Sequence, residues 1–230
     1  MTFFHFFWLL GFGTNTNIGN SRQTAKRPEG LRRKISAAVS PFRENSLHLF
    51  SHKKRTTMSV KEQLARVRES LPEGVRLVAV SKTHPVEAIR EAYDAGQRLF
   101  GESRPQELRA KYEVLPKDIE WHMIGHLQTN KVKYIAPFVS LVESVDSARL
   151  VEALQHEAAK CGRRLDILLE IHVADEETKS GWEPDELREY LSSEPFAAAT
   201  ALRVRGVMGI ATNTDDEEHI LSLIHISEPT

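Results

Sequence analysis

From residue 58 onward the chain alternates between two periodicities, and few folds accept such an alternation. "VKEQLARVRESL" sets Val60, Leu64, Val67 and Leu71 on one helical face, and Pro72 and Gly74 then break it. Next comes "RLVAVS", an apolar run of strand length. Pro85 opens a helix whose Val86, Ile89 and Tyr93 share a face, and Gly96 closes it. "RLFGE" reads as a second strand and "PQELRAKYEVL" as a charged helix. "EWHMIG", helix-like "KVKYIAPF", "SLVESV" and "SARLVEALQHEAAK" continue the pattern to Gly162. "LDILLEIHV" is a fifth strand, "PDELREYLSS" a helix and "RVRGVMGIA" a sixth strand.

Near-continuous apolar strands separated by amphipathic helices predict an α/β fold, a parallel sheet covered by helices. Short strands and small loops favour a TIM (β/α)8-type barrel over an open sheet, though the pattern admits both. Such a barrel has eight strands and about 250 residues. About six βα units stand between Met58 and Ile220, so the barrel is expected to be incomplete in this chain.

The flanks differ from this body. Residues 1–57 carry ten Lys/Arg and two Asp/Glu, whereas the rest of the chain carries 21 and 30. That basic, Ser-rich leader reads as disordered and is either a transit-like segment or the product of a misassigned start. Its apolar opening, "MTFFHFFWLL", falls short of the ~20 residues of a membrane span. A nucleic-acid arm has no aromatic platform behind it, so no nucleic-acid partner is expected. Residues 221–230, "LSLIHISEPT", share no pattern with what precedes them and read as an artefactual tail. The partition is therefore leader 1–57, partial barrel 58–220 and tail 221–230. The single cysteine, Cys161, excludes an internal disulfide and suits a reducing compartment. The scattered histidines lack metal-ligand spacing, and no metal is expected.

In a barrel, chemistry gathers at the carboxyl ends of strands. Lys82 ends the first, Glu102 and Ser103 the second, and "HMIGHLQTNK" the third. Glu143 and Asp146 lie near the end of the fourth, "HVADEETKSG" follows the fifth and "MGIATN" ends the sixth. A lysine in that position is either a solvated, snorkelling cation or a nucleophile toward aldehydes. "GHLQTNK" lacks the second glycine and the Ser/Thr after lysine that a nucleotide loop needs. Lys179, Ser180 and Gly181 form either an anion nest or a plain turn. His126, Asn130 and Lys131 could cap the next helix. His122 is open between core histidine and ligand contact, and Met208 between space-filler and ligand contact.

"VAVSKTHP", "FGESRPQEL", "EWHMIGHLQTNK", "HVADEETKSG" and "VRGVMGIA" occur in this order and spacing. Together they resemble the pyridoxal phosphate homeostasis proteins, relatives of the alanine racemase amino-terminal barrel. The resemblance spans about Met58 to Ile220. It implies a protein that binds pyridoxal 5'-phosphate as a Schiff base on Lys82 and buffers or delivers it, without established turnover. Ser103, His122 and Met208 are the further cofactor contacts it implies, with Ser103 standing where the family usually has asparagine. Recipient apo-enzymes that use the cofactor, a monomeric body and a cytoplasmic location follow from the same likeness, or an organellar one if the leader is real. The alternative is a racemase-like enzyme, which needs acid–base groups on both faces of its substrate. The family's Gly-Met-Ser and Arg-Ile-Gly segments, which hold the phosphate and face the pyridine nitrogen, do not occur in this sequence. With two strands short of eight, the chain is expected to bind the cofactor weakly and to aggregate through an open sixth strand.

Overall fold

Six parallel strands pair strictly in chain order, β1 (Ala79–Val80), β2 (Leu99–Glu102), β3 (Glu120–Met123), β4 (Leu141–Val145), β5 (Leu165–Ile171) and β6 (Leu202–Gly209). The computed structural model describes residues 59–71, 75–172 and 180–209. The leader 1–57, the tail 221–230 and Lys179 therefore lie outside the described residues.

Consecutive order decides between the two architectures left open by the sequence. An open doubly wound sheet reverses its strand order at a switch point, which sends helices to both faces. A series that never reverses, with right-handed crossovers, keeps every helix on one face, as a barrel does. The fold is thus the barrel type, with six strands among the described residues.

The chain divides into two compact units. One holds all six strands, within residues 78–89 and 98–209, together with α3 (Pro105–Val114), α4 (Ala148–Lys160), α5 (Pro184–Leu191) and the short α6 (Glu194–Ala197). The other holds α1 (Val60–Ser70) and residues 90–97, the second half of α2 (Val86–Asp94) included. In that second unit Ser59 and Glu62 form a reciprocal capping box at the start of α1. Arg68 donates to Ala95 O and Gln97 Oε1, and Gln97 Nε2 donates to Leu77 O.

Strand bounds are tighter than the apolar runs suggested. "RLVAVS" contributes only Ala79 and Val80 to the ladder, and "KVKYIAPF" is not an α-helix. Thr129–Tyr134 is a 3-10 helix with Gln128 at its N-cap, so Asn130 and Lys131 lie within it and do not cap it. Strands β4 and β5 are almost wholly buried, as parallel strands covered on both faces must be. Cys161 is exposed at the C-cap of α4.

Register fixes which side chains share a face. In a parallel sheet, paired residues point the same way and alternate residues point oppositely. Val80 pairs with Gly101, Gly101 with His122 and His122 with Leu141. Leu168 and Glu170 pair with Gly206 and Met208 across β5 and β6. Leu141, Leu168 and Met208 form one buried cluster, which places all of these on a common face. The opposite parity, Ala79, Phe100 and Trp121, is the helix face, where the Phe100 and Trp121 rings lie 5.9 Å apart.

Candidate functional site

Lys82 follows β1 by two residues and keeps the parity of Val80, so it extends from the face opposite the helices. Its side chain is half-buried and makes no hydrogen bond or ion pair to another described residue. Ser103 occupies the equivalent position after β2, two residues beyond Gly101. Gly125 holds the loop after β3 against it. A Cβ at Gly125 would fall 2.6 Å from Ser103 O and 2.7 Å from Ser103 Cβ, so only glycine permits this approach. Ser144 donates to Gly125 O at 2.6 Å and ties the loop to β4.

His122 is buried on the same face, its Nδ1 2.5 Å from Glu143 Oε1. A carboxylate at Nδ1 fixes the ring's orientation and leaves Nε2 as the outward atom. Glu143 Oε2 is buried without a hydrogen-bond partner among the described residues. Glu170, also buried, accepts from Ser180 Oγ at 3.0 Å. Burial first, then the Asp146 carboxylate, pushes the Glu170 carboxyl up to about 7, against the Ser180 bond and the charges of His126 and His172. His126 itself pairs with Asp146 at 3.0 Å. Met208 is 2% exposed and packed on Leu141 and Leu168. Lys82, Ser103, His122 and Met208 thus share a face, all at or near strand ends, with Met208 packed in the apolar layer.

The helix face of the same strands carries a second polar cluster. Glu102, fully buried, points to α3 and not to the face of Lys82. Lys111 of α3 donates to Glu102 Oε1 at 2.7 Å, to Glu107 Oε1 at 2.7 Å and to Ser81 O at 2.8 Å. Ser81 Oγ donates to Glu102 Oε1 at 2.6 Å. Burial raises the Glu102 carboxyl above its usual range, and the bonds from Lys111 and Ser81 offset this only in part. Burial also opposes the ionised Glu107, but there the bonds from Lys111 and the Thr83 N–H prevail and lower its pKa. Sequence reading did not find this cluster. Its one signal was the i,i+4 pair Glu107–Lys111 in "PQELRAK", which looks like a solvated helix pair until strand parity turns it inward.

Gly181, at φ +136°, starts the return from the loop after β5. A Cβ there would meet His172 N at 2.6 Å. Ser180 beside it donates to a carboxylate, so its hydroxyl serves Glu170.

Residues 57–222 match the family described as the alanine racemase N-terminal domain. The pyridoxal phosphate homeostasis protein of Aquifex aeolicus is 38% identical over 174 residues, covering 71% of this chain and 75% of its own length. The structure of PipY from Synechococcus elongatus with PLP bound superposes with a TM-score of 0.66 at 38% identity, over 73% of this chain and 78% of PipY. Alanine racemase from E. faecalis superposes with a TM-score of 0.57 over 74% of this chain and 48% of its own. At 16% identity that last likeness shows the fold alone.

Proposed function

We propose that this chain, which belongs to the alanine racemase N-terminal domain family, binds pyridoxal 5'-phosphate with Lys82 as its covalent anchor and acts in the homeostasis of that cofactor. The observation that carries the reading is the placement of Lys82, half-buried at the carboxyl end of β1 and on the face shared with Ser103, His122 and Glu143. When bound, the cofactor would supply an aldehyde, a group that a lysine amine can hold covalently with release of water. The residues fit that group on this side. Lys82 offers the amine, Ser103 a hydroxyl beside it, and the Glu143-oriented His122 a ring nitrogen turned to the same face. Glu143 Oε2, buried and without a partner among the described residues, is a further acceptor there.

Support comes from the relatives, since PipY is a structure with PLP bound and the Aquifex protein is named for PLP homeostasis. A racemase also needs acid–base groups above and below its substrate. A carrier needs only the barrel face, and apo-enzymes that use the cofactor would be its recipients. We place it as a monomer in the cytoplasm. Among the described residues no helix is long and apolar enough to cross a membrane.

The test is trapping. The protein is incubated with excess pyridoxal 5'-phosphate, reduced with borohydride and mapped by peptide mass spectrometry. Label is expected to concentrate on Lys82 and to vanish from that peptide's mass window in Lys82→Ala. Label spread evenly over exposed lysines would refute the assignment. Loss of α-deuterium from alanine at enzymatic rates would replace the carrier with the racemase reading.

A further inference from the structure

Thr83 is the one described non-glycine residue with positive φ, +67°. It is β-branched, a residue type that resists the left-handed region. It is the third residue of a four-residue turn closed by the His84 N–H donating to Ser81 O at 3.0 Å, a position where glycine or asparagine normally stands. Such strain persists only where the surroundings over-determine it. The turn carries Lys82, so what holds Thr83 also aims Lys82.

The holding groups come from the opposite face. The Thr83 N–H donates to Glu107 Oε1 at 2.8 Å. Glu107 is gripped by Lys111, whose other two bonds run to Ser81 O and Glu102 Oε1. An ammonium has three protons, and all three of Lys111's are spent on the first residue of the turn, the end of β2 and the carboxylate that holds Thr83. The Lys111 side chain is 6% exposed and that of Glu102 0%, so these are charge-assisted bonds out of water. Removing one partner of such a buried set costs far more than an exposed pair would.

We propose that Lys111, with Glu107, is the positioning residue for Lys82, a buried tripod on the helix face that fixes the turn and presents the Lys82 amine on the other. Lys111 never touches the reacting atoms. It acts through backbone atoms of Ser81 and Thr83, the residues on either side of Lys82. The inference rests on the assignment of Lys82 as the anchor, and the test separates the two.

Two labels are applied to the 230-residue chain and to Lys111→Met, Glu107→Ala and Lys82→Ala. The first is pyridoxal 5'-phosphate with borohydride. The second is formaldehyde with cyanoborohydride, which methylates lysine amines and needs no cofactor site. Each is read as the label on Lys82 relative to Lys117 and Lys160, on samples whose circular dichroism shows them folded. In Lys111→Met and Glu107→Ala the preference of cofactor label for Lys82 is expected to fall about tenfold or more, toward the roughly hundredfold penalty that an ångström's displacement of a reacting group can carry. The relative methylation rate of Lys82 is expected to change as well, because its surroundings change. Lys111→Met removes a buried cation, so it is the variant at risk of failing to fold. Glu107→Ala then carries the test, because it leaves the bonds of Lys111 to Glu102 and Ser81 in place and cuts the tie to Thr83 together with the Lys111–Glu107 pair.

A merely structural role would lower the melting temperature while leaving both labelling ratios at their parent values, and that result would overturn the proposal. If the parent chain itself shows no preference of cofactor label for Lys82, the anchor assignment fails. The methylation ratios then still decide whether Lys111 sets the environment of Lys82.

Discussion

Glu170 gives a pH test whose sign and size can be worked out beforehand. Its carboxyl is 1% exposed on the face of Met208, and its folded pKa of about 7 compares with 4.5 for an unperturbed glutamate. Below pH 4.5 both folded and unfolded chains hold the proton, and Glu170 adds no pH slope. Between 4.5 and 7 the unfolded chain releases it while the folded chain keeps it, so stability falls as pH rises. Above 7 both are ionised and the loss is complete. A gap of this width amounts to about 3 kcal/mol, at 1.36 kcal/mol per pKa unit. Asp146, His126 and His172 face the same carboxyl, the first raising and the other two lowering its pKa. Glu170→Gln keeps an oxygen for Ser180 Oγ and cannot ionise, so subtracting its curve isolates Glu170 together with its couplings. Urea unfolding at half-unit steps from pH 4.5 to 8 is the assay. The parent is expected to lose about 3 kcal/mol relative to Glu170→Gln across that range. A parallel pair of curves, or a parent that gains on the variant as pH rises, would refute the reasoning.

Three further outcomes follow from packing and capping. Gly125→Ala drives a methyl into the Ser103 backbone and should cost about 1–3 kcal/mol in denaturant unfolding, with the trapping preference of Lys82 read alongside. Leu168→Ala opens a hole beside Leu141 and Met208, and about 2–5 kcal/mol of lost stability is expected by the same assay. Ser59→Ala removes the hydroxyl that accepts from the Glu62 N–H, costing about 1 kcal/mol of helix stability, measured as faster amide exchange in the first turn of α1.

The order of elements was legible because each has a local cause. Pro105 and Pro184 begin helices, Gly96 and Gly162 follow helix ends with positive φ, and the strands are apolar runs of the right length. The ends of β1 were not legible. Six residues of "RLVAVS" have strand character, but a ladder needs a partner, and β2 offers register only to Ala79 and Val80. "KVKYIAPF" has helical spacing yet forms a 3-10 turn. Positions at strand ends could be nominated, as Lys82 and His122 were. Glu143 was nominated at a strand end too, but its pairing with His122 was not legible, because it stands 21 residues away and meets it only through the register of β3 and β4.

Parity also explains why a strand ends in "Ser-Lys". Two neighbouring residues at a parallel strand end must address opposite faces. Ser81 takes the helix face, where its carbonyl and hydroxyl join Lys111 and Glu102. Lys82 takes the other face, free of the carboxylates that hold Lys111. Lys111, bonded to the carbonyl of the residue before Lys82, and Lys82 itself thus have opposite fates. Lys111 is saturated with acceptors in a dry cluster, which commits its three protons to structure. The half-buried Lys82 amine makes no ion pair with any described residue, so no described carboxylate competes for it with an incoming aldehyde. A chain needing one reactive amine among many lysines can select it in this way, by committing the nearby competitor to structure and leaving the chosen one without an ion pair among the described residues.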